Sequence, residues 1–396
     1  MYLRLVIDAL RVETRHMPDS IKILHLRDTN EVGGPGKTIL ETYSHIDKDL
    51  FAISIGVFRT REETDETPFI LEAKRKGIAV HEIRSRNQYD PAMVREIVTL
   101  VKKNKFDILH THEPKSDICG FLAAKICRIP VMATMHGWIA NGLKQKFFTK
   151  IDKMVARYFD RVIVVNNAMR DILIKEGVSP DIITVLHNCI VTEDYYRDGI
   201  TGYISQSIGK ELPPPVIGTL GRLSPEKGHV DFVEAAAIVL AQGFDARFVI
   251  VGDGPEKTRI EQMISEKGLE KYVMLAGYLR DPRRVLQDFD LLVLPSYTEG
   301  LPNVILEALM MEVPVLSTDV GGVPDIIRDG VYGILIPPGD PLTMARAIMD
   351  FLDHPGKHNK MARNGKRTVE DCFDFKVRTQ KLQKIYSGVK ETGKNI

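Results

Sequence analysis

Short β-branched runs alternate with helical periods along nearly the whole chain, and no other feature restricts its fold as strongly. The series opens at IKILHLRD (21–28) and continues through FAISIGVF (51–58), IAVHEI (78–83), FDILHTH (106–112), PVMATMHG (130–137), RVIVVNN (161–167) and ITVLHN (183–188). Between these runs lie stretches such as PAMVREIVTLVKKNK (91–105), with apolar residues at helical spacing. Strands that alternate with helices predict a parallel, doubly wound α/β sheet. A polar segment, 191–215, then ends in Pro213-Pro214-Pro215 and suits a linker.

A second series follows: VIGTLGRL (216–223), ARFVIVGDG (246–254), VMLAGYL (273–279), LLVLPS (291–296), VPVLST (313–318) and YGILIPP (332–338). Helices are expected over 228–242, 255–267, 282–289 and 302–311. The expected architecture is two Rossmann-like domains, 21–190 and 216–374, joined by the linker 191–215. An extension, 1–20, precedes them without a readable role. The segment 375–396 holds an amphipathic helix able to pack on either domain, the first included. Two such domains face each other across a cleft at their strand carboxyl ends, where ligands of open α/β sheets bind.

With 396 residues, 44% of them hydrophobic, the chain has material for full cores. Lys plus Arg number 54 against 53 Asp plus Glu. That balance argues against a nucleic-acid partner, so any anion site must be local. The four cysteines, Cys119, Cys127, Cys189 and Cys372, show no CxxC spacing and are expected to be reduced, buried and structural. No apolar run is long enough to cross a bilayer, and the opening run is broken by Asp8. The expectation is a cytoplasmic protein.

The loops at the strand ends carry the chemistry. NEVGGPGKT (30–38) has Glu31 where a Walker A loop requires glycine, so a P-loop is excluded, while Gly33 and Gly34 still admit a ligand close to the backbone. VGDGPEK (251–257) is not a dinucleotide fingerprint, because position 257 is Lys. GRLSPEKG (221–228) places Arg222 and Lys227 between a strand and a helix, where two cations suit a diphosphate; a solvated turn with incidental charges is the plainer alternative. TEGLPNVILEAL (298–309) sets Glu299 and Glu307 around a turn, with Pro302 expected at the first helical position. The N–H groups of Asn303, Val304 and Ile305 would then face the turn and attract an anion.

Together GRLSPEKG, VGDGP, AGY (276–278), PSYTEGLPNVILEA and STDVGGVPDIIRDGVYGILIPPGD resemble the retaining nucleotide-sugar glycosyltransferases of the GT-B fold, family 4. GGPGKT, DILHTHE, THEPKS, TMHGW and VVNNAMRDIL in the first half are similar to the same family. The resemblance implies that Glu307 holds the ribose hydroxyls and Glu299 the donor-sugar hydroxyls. Gly300, Leu301, Pro302, Asn303 and Val304, with Gly221, would bring backbone to the diphosphate, and Tyr278 and Leu279 would meet the base. Arg222 and Lys227 would stabilise the leaving diphosphate, and His136 would contact the donor sugar near the reaction centre. His112 and Glu113 are expected on the acceptor side.

The implied activity is retaining, metal-independent transfer of a hexose, without a cofactor. A UDP-sugar is favoured over a GDP-sugar as donor, and a lipid-linked or cell-envelope glycan is the acceptor. A GT-B epimerase, or a nucleotide-sugar binder without catalysis, fits the two-glutamate turn less well. Finally, LKQKFFTKIDKMVARYF (143–159), projected as one helix, gathers Leu143, Phe147, Phe148, Ile151, Met154, Val155, Tyr158 and Phe159 on one face. Lys146, Lys150, Lys153 and Arg157 border that face, with Asp152 and Asp160 off the stripe. Packing against a sheet with solvated charges explains the pattern. Contact with an anionic membrane surface is the alternative to that plainer reading.

Overall fold

The computed structural model describes residues 20–28, 32–60, 62–63, 65–86, 90–136, 143–211, 213 and 215–393, with the backbone alone for 143–148 and 393. The extension before residue 20, Gly137, Trp138 and the Lys146 side chain lie outside the described residues.

Each apolar run read from the sequence becomes a strand. The first sheet contains β1 (Ile21–Arg27), β2 (Phe51–Thr60), β3 (Ala79–Ser85), β4 (Ile108–Thr111), β5 (Val131–Met135), β6 (Arg161–Val164) and β7 (Ile183–Val185), in the order β3-β2-β1-β4-β5-β6-β7. The second contains β8 (Val216–Leu220), β9 (Arg247–Val251), β10 (Val273–Gly277), β11 (Leu291–Leu294), β12 (Val315–Thr318) and β13 (Ile334–Ile336), in the order β10-β9-β8-β11-β12-β13. β1 pairs in parallel with β2 and β4, and β8 with β9 and β11. The winding direction therefore reverses between β1 and β4 in one sheet, and between β8 and β11 in the other. Crevices open at such reversals. By its contacts the chain divides into one compact unit of 1–135, 139–162 and 379–396, and another of 136–138 and 163–378.

The strands are continuous apolar runs because helices cover both sheet faces. Ile23, Leu24, Leu26, Ile217, Phe248, Val249 and Leu292 are all fully buried. Each such side chain contributes roughly 1.5–3 kcal/mol by leaving water. Gly218 breaks the pattern of large residues in β8 because the Phe289 ring occupies the place of its side chain, 2.1 Å from where a Cβ would stand. The last helix, Phe375–Gly393, returns to the first sheet. Its fully buried Tyr386 hydroxyl hydrogen-bonds His110 Nδ1 at 2.9 Å and His25 Nε2 at 3.1 Å.

Two expectations need correction. The 143–159 segment is not one helix: Leu143–Val155 is followed by a 3₁₀ turn, Ala156–Tyr158. The tighter winding changes the facing of the residues after Val155. Met154 and Tyr158 are 51% and 61% exposed, whereas Asp152 is buried and hydrogen-bonds Asp117 of the Pro114–Cys127 helix. All four cysteines are free thiols, but only Cys189 is buried, and Cys372, at the end of the Pro355–Cys372 helix, is exposed. No described helix is long and apolar enough to cross a membrane.

Candidate functional site

The site forms where the second sheet reverses. β8 runs out through Gly221 and the exposed Arg222 into a 3₁₀ turn, Pro225–Lys227, and then into the His229–Ala241 helix. Buried His229 donates from Nε2 to the Arg222 carbonyl at 3.1 Å; burial pushes its pKa down to about 4, so the ring is a neutral strut for this loop. β11, paired beside β8, runs out through Pro295 and Ser296 to the Glu299 turn. Tyr297 fastens that turn to the first loop: its N–H donates to the Glu226 carbonyl at 2.8 Å and its hydroxyl to Asp231 at 2.7 Å.

Lys227 and Glu299 meet there. Lys227 Nζ lies 2.7 Å from Glu299 Oε1, and the Ser296 hydroxyl donates to the same oxygen at 2.6 Å. The Lys227 side chain is 26% exposed and that of Glu299 only 6%, so the ammonium sits at the water boundary while its partner is held from inside. Beside them an open pocket of about 440 Å³ brings Gly221, Arg222, Tyr278 and Leu279 together with Gly252 and Asp253. Four of the residues singled out in the sequence thus line one cavity.

The turn itself is fixed by glycines and an asparagine. Gly321 has φ +55°, and a Cβ there would lie 1.8 Å from the Glu299 carbonyl oxygen; one at Gly322 would lie 2.1 Å from that of Gly300. Only glycine lets the turn after β12 pack so closely. Buried Asn166 donates from Nδ2 to the Gly300 carbonyl at 2.6 Å, while its Oδ1 caps the Asn167–Lys175 helix by accepting from Met169 N–H. Asn167 in turn donates from its backbone and its side chain to Asp325. The His136 carbonyl oxygen also reaches this turn, 3.2 Å from where a Gly300 Cβ would stand.

Pro302 is the residue before the Asn303–Met310 helix rather than its first residue, because its ψ of 110° is extended. Ile305 N–H is used within the turn, donating to the Pro302 carbonyl at 3.2 Å. The helix start therefore offers Asn303 and Val304 to an anion, with Leu301 and Pro302 buried behind them. Glu307, one turn further, is 8% exposed and accepts from the Tyr195 hydroxyl at 2.9 Å. Burial first, and Glu307 second, hold the Tyr195 hydroxyl well above its ordinary range, so it remains a donor.

The first-sheet candidates have different surroundings. Gly33 and Gly34 begin the Gly33–His45 helix, whose preceding residue, Val32, gives no side-chain cap. His112 and Glu113, expected on the acceptor side, are engaged inside the unit. Glu113 caps the Pro114–Cys127 helix, lies 3.5 Å from buried Arg27 and accepts from Asp28 N–H. His112 Nε2 meets His25 Nδ1 at 2.9 Å.

His25, His110 and His112 are close enough to share a metal ion. Hydrogen bonds already link them into a chain that continues through Tyr386 and, at 2.7 Å, Thr134. Neutral rings satisfy every link of that chain in either proton direction.

Asn166, Tyr195, Ser296, Gly321 and Gly322 are site residues to which sequence reasoning gave no role. Asn166, Ser296, Gly321 and Gly322 stand inside strings that carried the family resemblance, and Tyr195 lies in the 191–215 segment read as a linker.

Residues 201–368 match the family described as glycosyl transferases group 1, and residues 32–194 match glycosyltransferase family 4. The chain is 27% identical over 377 residues to the Escherichia coli UDP-Gal:alpha-D-GlcNAc-diphosphoundecaprenol alpha-1,3-galactosyltransferase, covering 92% of this chain and 96% of that enzyme. It is 27% identical over 347 residues to the Bacillus anthracis N-acetyl-alpha-D-glucosaminyl L-malate synthase, covering 84% and 90%. The crystal structure of Anabaena HepE in complex with UDP superposes with a TM-score of 0.81 at 22% identity, covering 93% of this chain and all of that one. The two family matches together take in most of the chain, both sheets are of the expected kind, and the protein belongs to glycosyltransferase family 4, with the GT-B fold.

Proposed function

We propose that the protein is a retaining, metal-independent hexosyltransferase that takes a UDP-sugar and glycosylates a hydroxyl of a lipid-linked, cell-envelope glycan at the cytoplasmic face of a membrane. The observation that carries this reading is the convergence of Lys227, Ser296 and Glu299 beside the Arg222–Tyr278 pocket. A nucleoside diphosphate fits the arrangement, with its base in the pocket, its ribose on Glu307, and its phosphates on Lys227, Arg222 and the start of the Asn303–Met310 helix. The E. coli relative, named for UDP-Gal and a diphosphoundecaprenol-linked GlcNAc, supports the donor and acceptor classes.

Binding would divide the Lys227–Glu299 pair between the two halves of the donor. The ammonium turns to the diphosphate, and the carboxylate, still held by Ser296, accepts from the sugar hydroxyls. In the reaction the bond from the anomeric carbon to the phosphate oxygen breaks, and the acceptor oxygen bonds to that carbon on the same face. The acceptor proton passes to the leaving phosphate. Arg222, Lys227 and the helix start stabilise the charge that develops there, which lowers the barrier most directly. His136 stands by the sugar.

A panel of UDP- and GDP-sugars, incubated in EDTA and followed by proton NMR, tests the reading through slow donor hydrolysis, which needs no acceptor. Release of the sugar in its original anomeric configuration from a UDP-sugar is expected. Inverted product, or turnover that requires an added divalent ion, would contradict it.

A further inference from the structure

Asn166 makes two hydrogen bonds at once, and the pairing selects asparagine. Its Oδ1 accepts from the Met169 N–H at 2.8 Å and caps the Asn167–Lys175 helix, while its Nδ2 donates to the Gly300 carbonyl at 2.6 Å. Serine and aspartate cap a helix about as well, but a serine hydroxyl ends one bond short of the carbonyl, and an ionised aspartate has nothing to donate. Asn166 is 1% exposed, and exchanging its amide oxygen and nitrogen would break both bonds, so its orientation is fixed.

The surroundings make room for the second bond. A Cβ on Gly322 would lie 2.1 Å from the Gly300 oxygen and 2.9 Å from Asn166 Cβ, so glycine there leaves the space in which the two meet. Asn167 steadies the base of the side chain by donating to Asp325 from its backbone at 2.7 Å and from Nδ2 at 2.9 Å. Gly300 also stands four residues before Val304, the spacing at which a helix turns a carbonyl onto its own N–H. With the ψ of Pro302 at 110° and the carbonyl taken by Asn166, that bond is not made. Among the described residues, no hydrogen bond takes up the N–H groups of Leu301, Asn303 or Val304. The Gly300–Leu301 peptide is planar, so holding its carbonyl also fixes the facing of the Leu301 N–H.

We propose that Asn166 is a positioning residue of the transfer reaction: by holding the Gly300 carbonyl it keeps the N–H groups of Leu301, Asn303 and Val304 preorganised for the leaving diphosphate. This role rests on the donor reading above, which sets the phosphates at the start of the Asn303–Met310 helix, and names the residue that keeps that helix start open. Asn166 acts through the backbone of the turn and is assigned no contact with the donor. Preorganised N–H groups stabilise charge as it develops, so they act mainly on turnover. Their misplacement lowers kcat more than it raises KM.

Asn166→Ser and Asn166→Asp, each able to keep the helix cap, test the role by donor hydrolysis beside urea unfolding of the full chain. Both are compared on whichever nucleotide sugar the parent turns over, so failure of the UDP reading shows in the parent and failure of the Asn166 role only in the variants. Asn166→Ser is expected to lower kcat roughly tenfold, the kinetic equivalent of one hydrogen bond, with KM changed less than about threefold and the unfolding midpoint near the parental one. Asn166→Asp should be at least as slow at neutral pH, because a carboxylate then faces the carbonyl. Once protonated, its carboxyl regains a donor, so the ratio of its turnover to the parental turnover should rise as pH falls from about 8 to about 5. A purely structural asparagine gives no such rescue. Parental kcat in Asn166→Ser, a ratio flat with pH, or a loss of turnover that only follows a fall in unfolding midpoint would overturn the proposal.

Discussion

The two sheets reverse at equivalent places, and the charged residues at the two reversals live differently. At β1 and β4, Arg27 is 1% exposed, stacks 4.5 Å from the Phe69 ring centre and faces Glu113, while His25 and His112 meet in the interior. At β8 and β11, Arg222 is exposed and Lys227 stands at the water boundary on a carboxylate that Ser296 holds in place. Desolvation lowers the Arg27 pKa and Glu113 raises it again, so the first pair stabilises the ion only while both partners stay together. In the second pair the Lys227 ammonium reaches water, and Glu299, 6% exposed, keeps its hydrogen bond from Ser296 when the ammonium turns away. The same topology therefore supplies a structural brace in one half and an exchangeable ion pair in the other, and exchangeability is what a ligand needs.

Breaking the brace should have the largest effect. Glu113→Ala leaves the Arg27 guanidinium buried without its carboxylate and also removes the cap of the Pro114–Cys127 helix. A loss of about 3–5 kcal/mol in urea unfolding is expected. Donor hydrolysis by the fraction still folded should stay near the parental rate. A variant of parental stability that has lost only acceptor transfer would restore Glu113 to the acceptor side and erase the contrast.

The exchangeable pair should show the opposite split. Lys227→Ala and Arg222→Ala are each expected to slow donor turnover by roughly 10²–10³-fold, the scale of one preorganised electrostatic group, with little change in unfolding midpoint. Steady-state kinetics beside a urea titration separates the two outcomes. A loss below tenfold in both variants removes these cations from the leaving-group role.

Acid should loosen the second reversal through His229. Its folded pKa, about 4, lies below the ordinary 6.5, so the folded protein binds fewer protons than the unfolded chain in that interval. The stabilisation is present above pH 6.5 and is lost as pH falls toward 4, on the order of 2–3 kcal/mol in all. His229→Gln, which can still donate to the Arg222 carbonyl, should flatten that part of the stability curve. An unchanged slope between those pH values would mean that the ring is not the titrating strut.

Features with a short repeat were legible in the sequence, and features made by distant partners were not. Every strand could be placed because a buried parallel strand is a continuous apolar run, and GRLSPEKG and TEGLPNVILEAL announced their loops through residue types adjacent in the chain. The 143–159 projection set Asp152 off the stripe but gave it no partner, because Asp117 lies in the preceding helix and no helical period shows that a carboxyl will be buried against another. Tyr386 is equally opaque: its partners His25 and His110 are hundreds of positions away. Asn166 was visible as a residue in VVNN, but its bond to the Gly300 carbonyl joins two segments that only the fold brings together. Pro302 shows a smaller limit, since proline suits both the first helical residue and the one before it, and only ψ distinguishes them.

The smallest expected effect concerns Tyr195, which belongs to the second site without touching its exchangeable pair. Its hydroxyl donates to Glu307 Oε1 and is held as a donor by burial and by that carboxylate. Tyr195→Phe keeps the ring and removes one hydrogen bond to a charged group, so Glu307 loses orientation rather than its charge. About 1 kcal/mol is at stake, which predicts a weakening of free UDP by roughly threefold to tenfold in calorimetry. If Glu307 serves the ribose, the loss should be the same for UDP and for the UDP-sugar, because both carry the ribose, and turnover at saturating donor should be unchanged. Glu299→Ala should differ by weakening the sugar-bearing donor alone. A Tyr195→Phe defect confined to the UDP-sugar would exchange the two glutamates' roles, and with them the direction in which the donor lies along the turn.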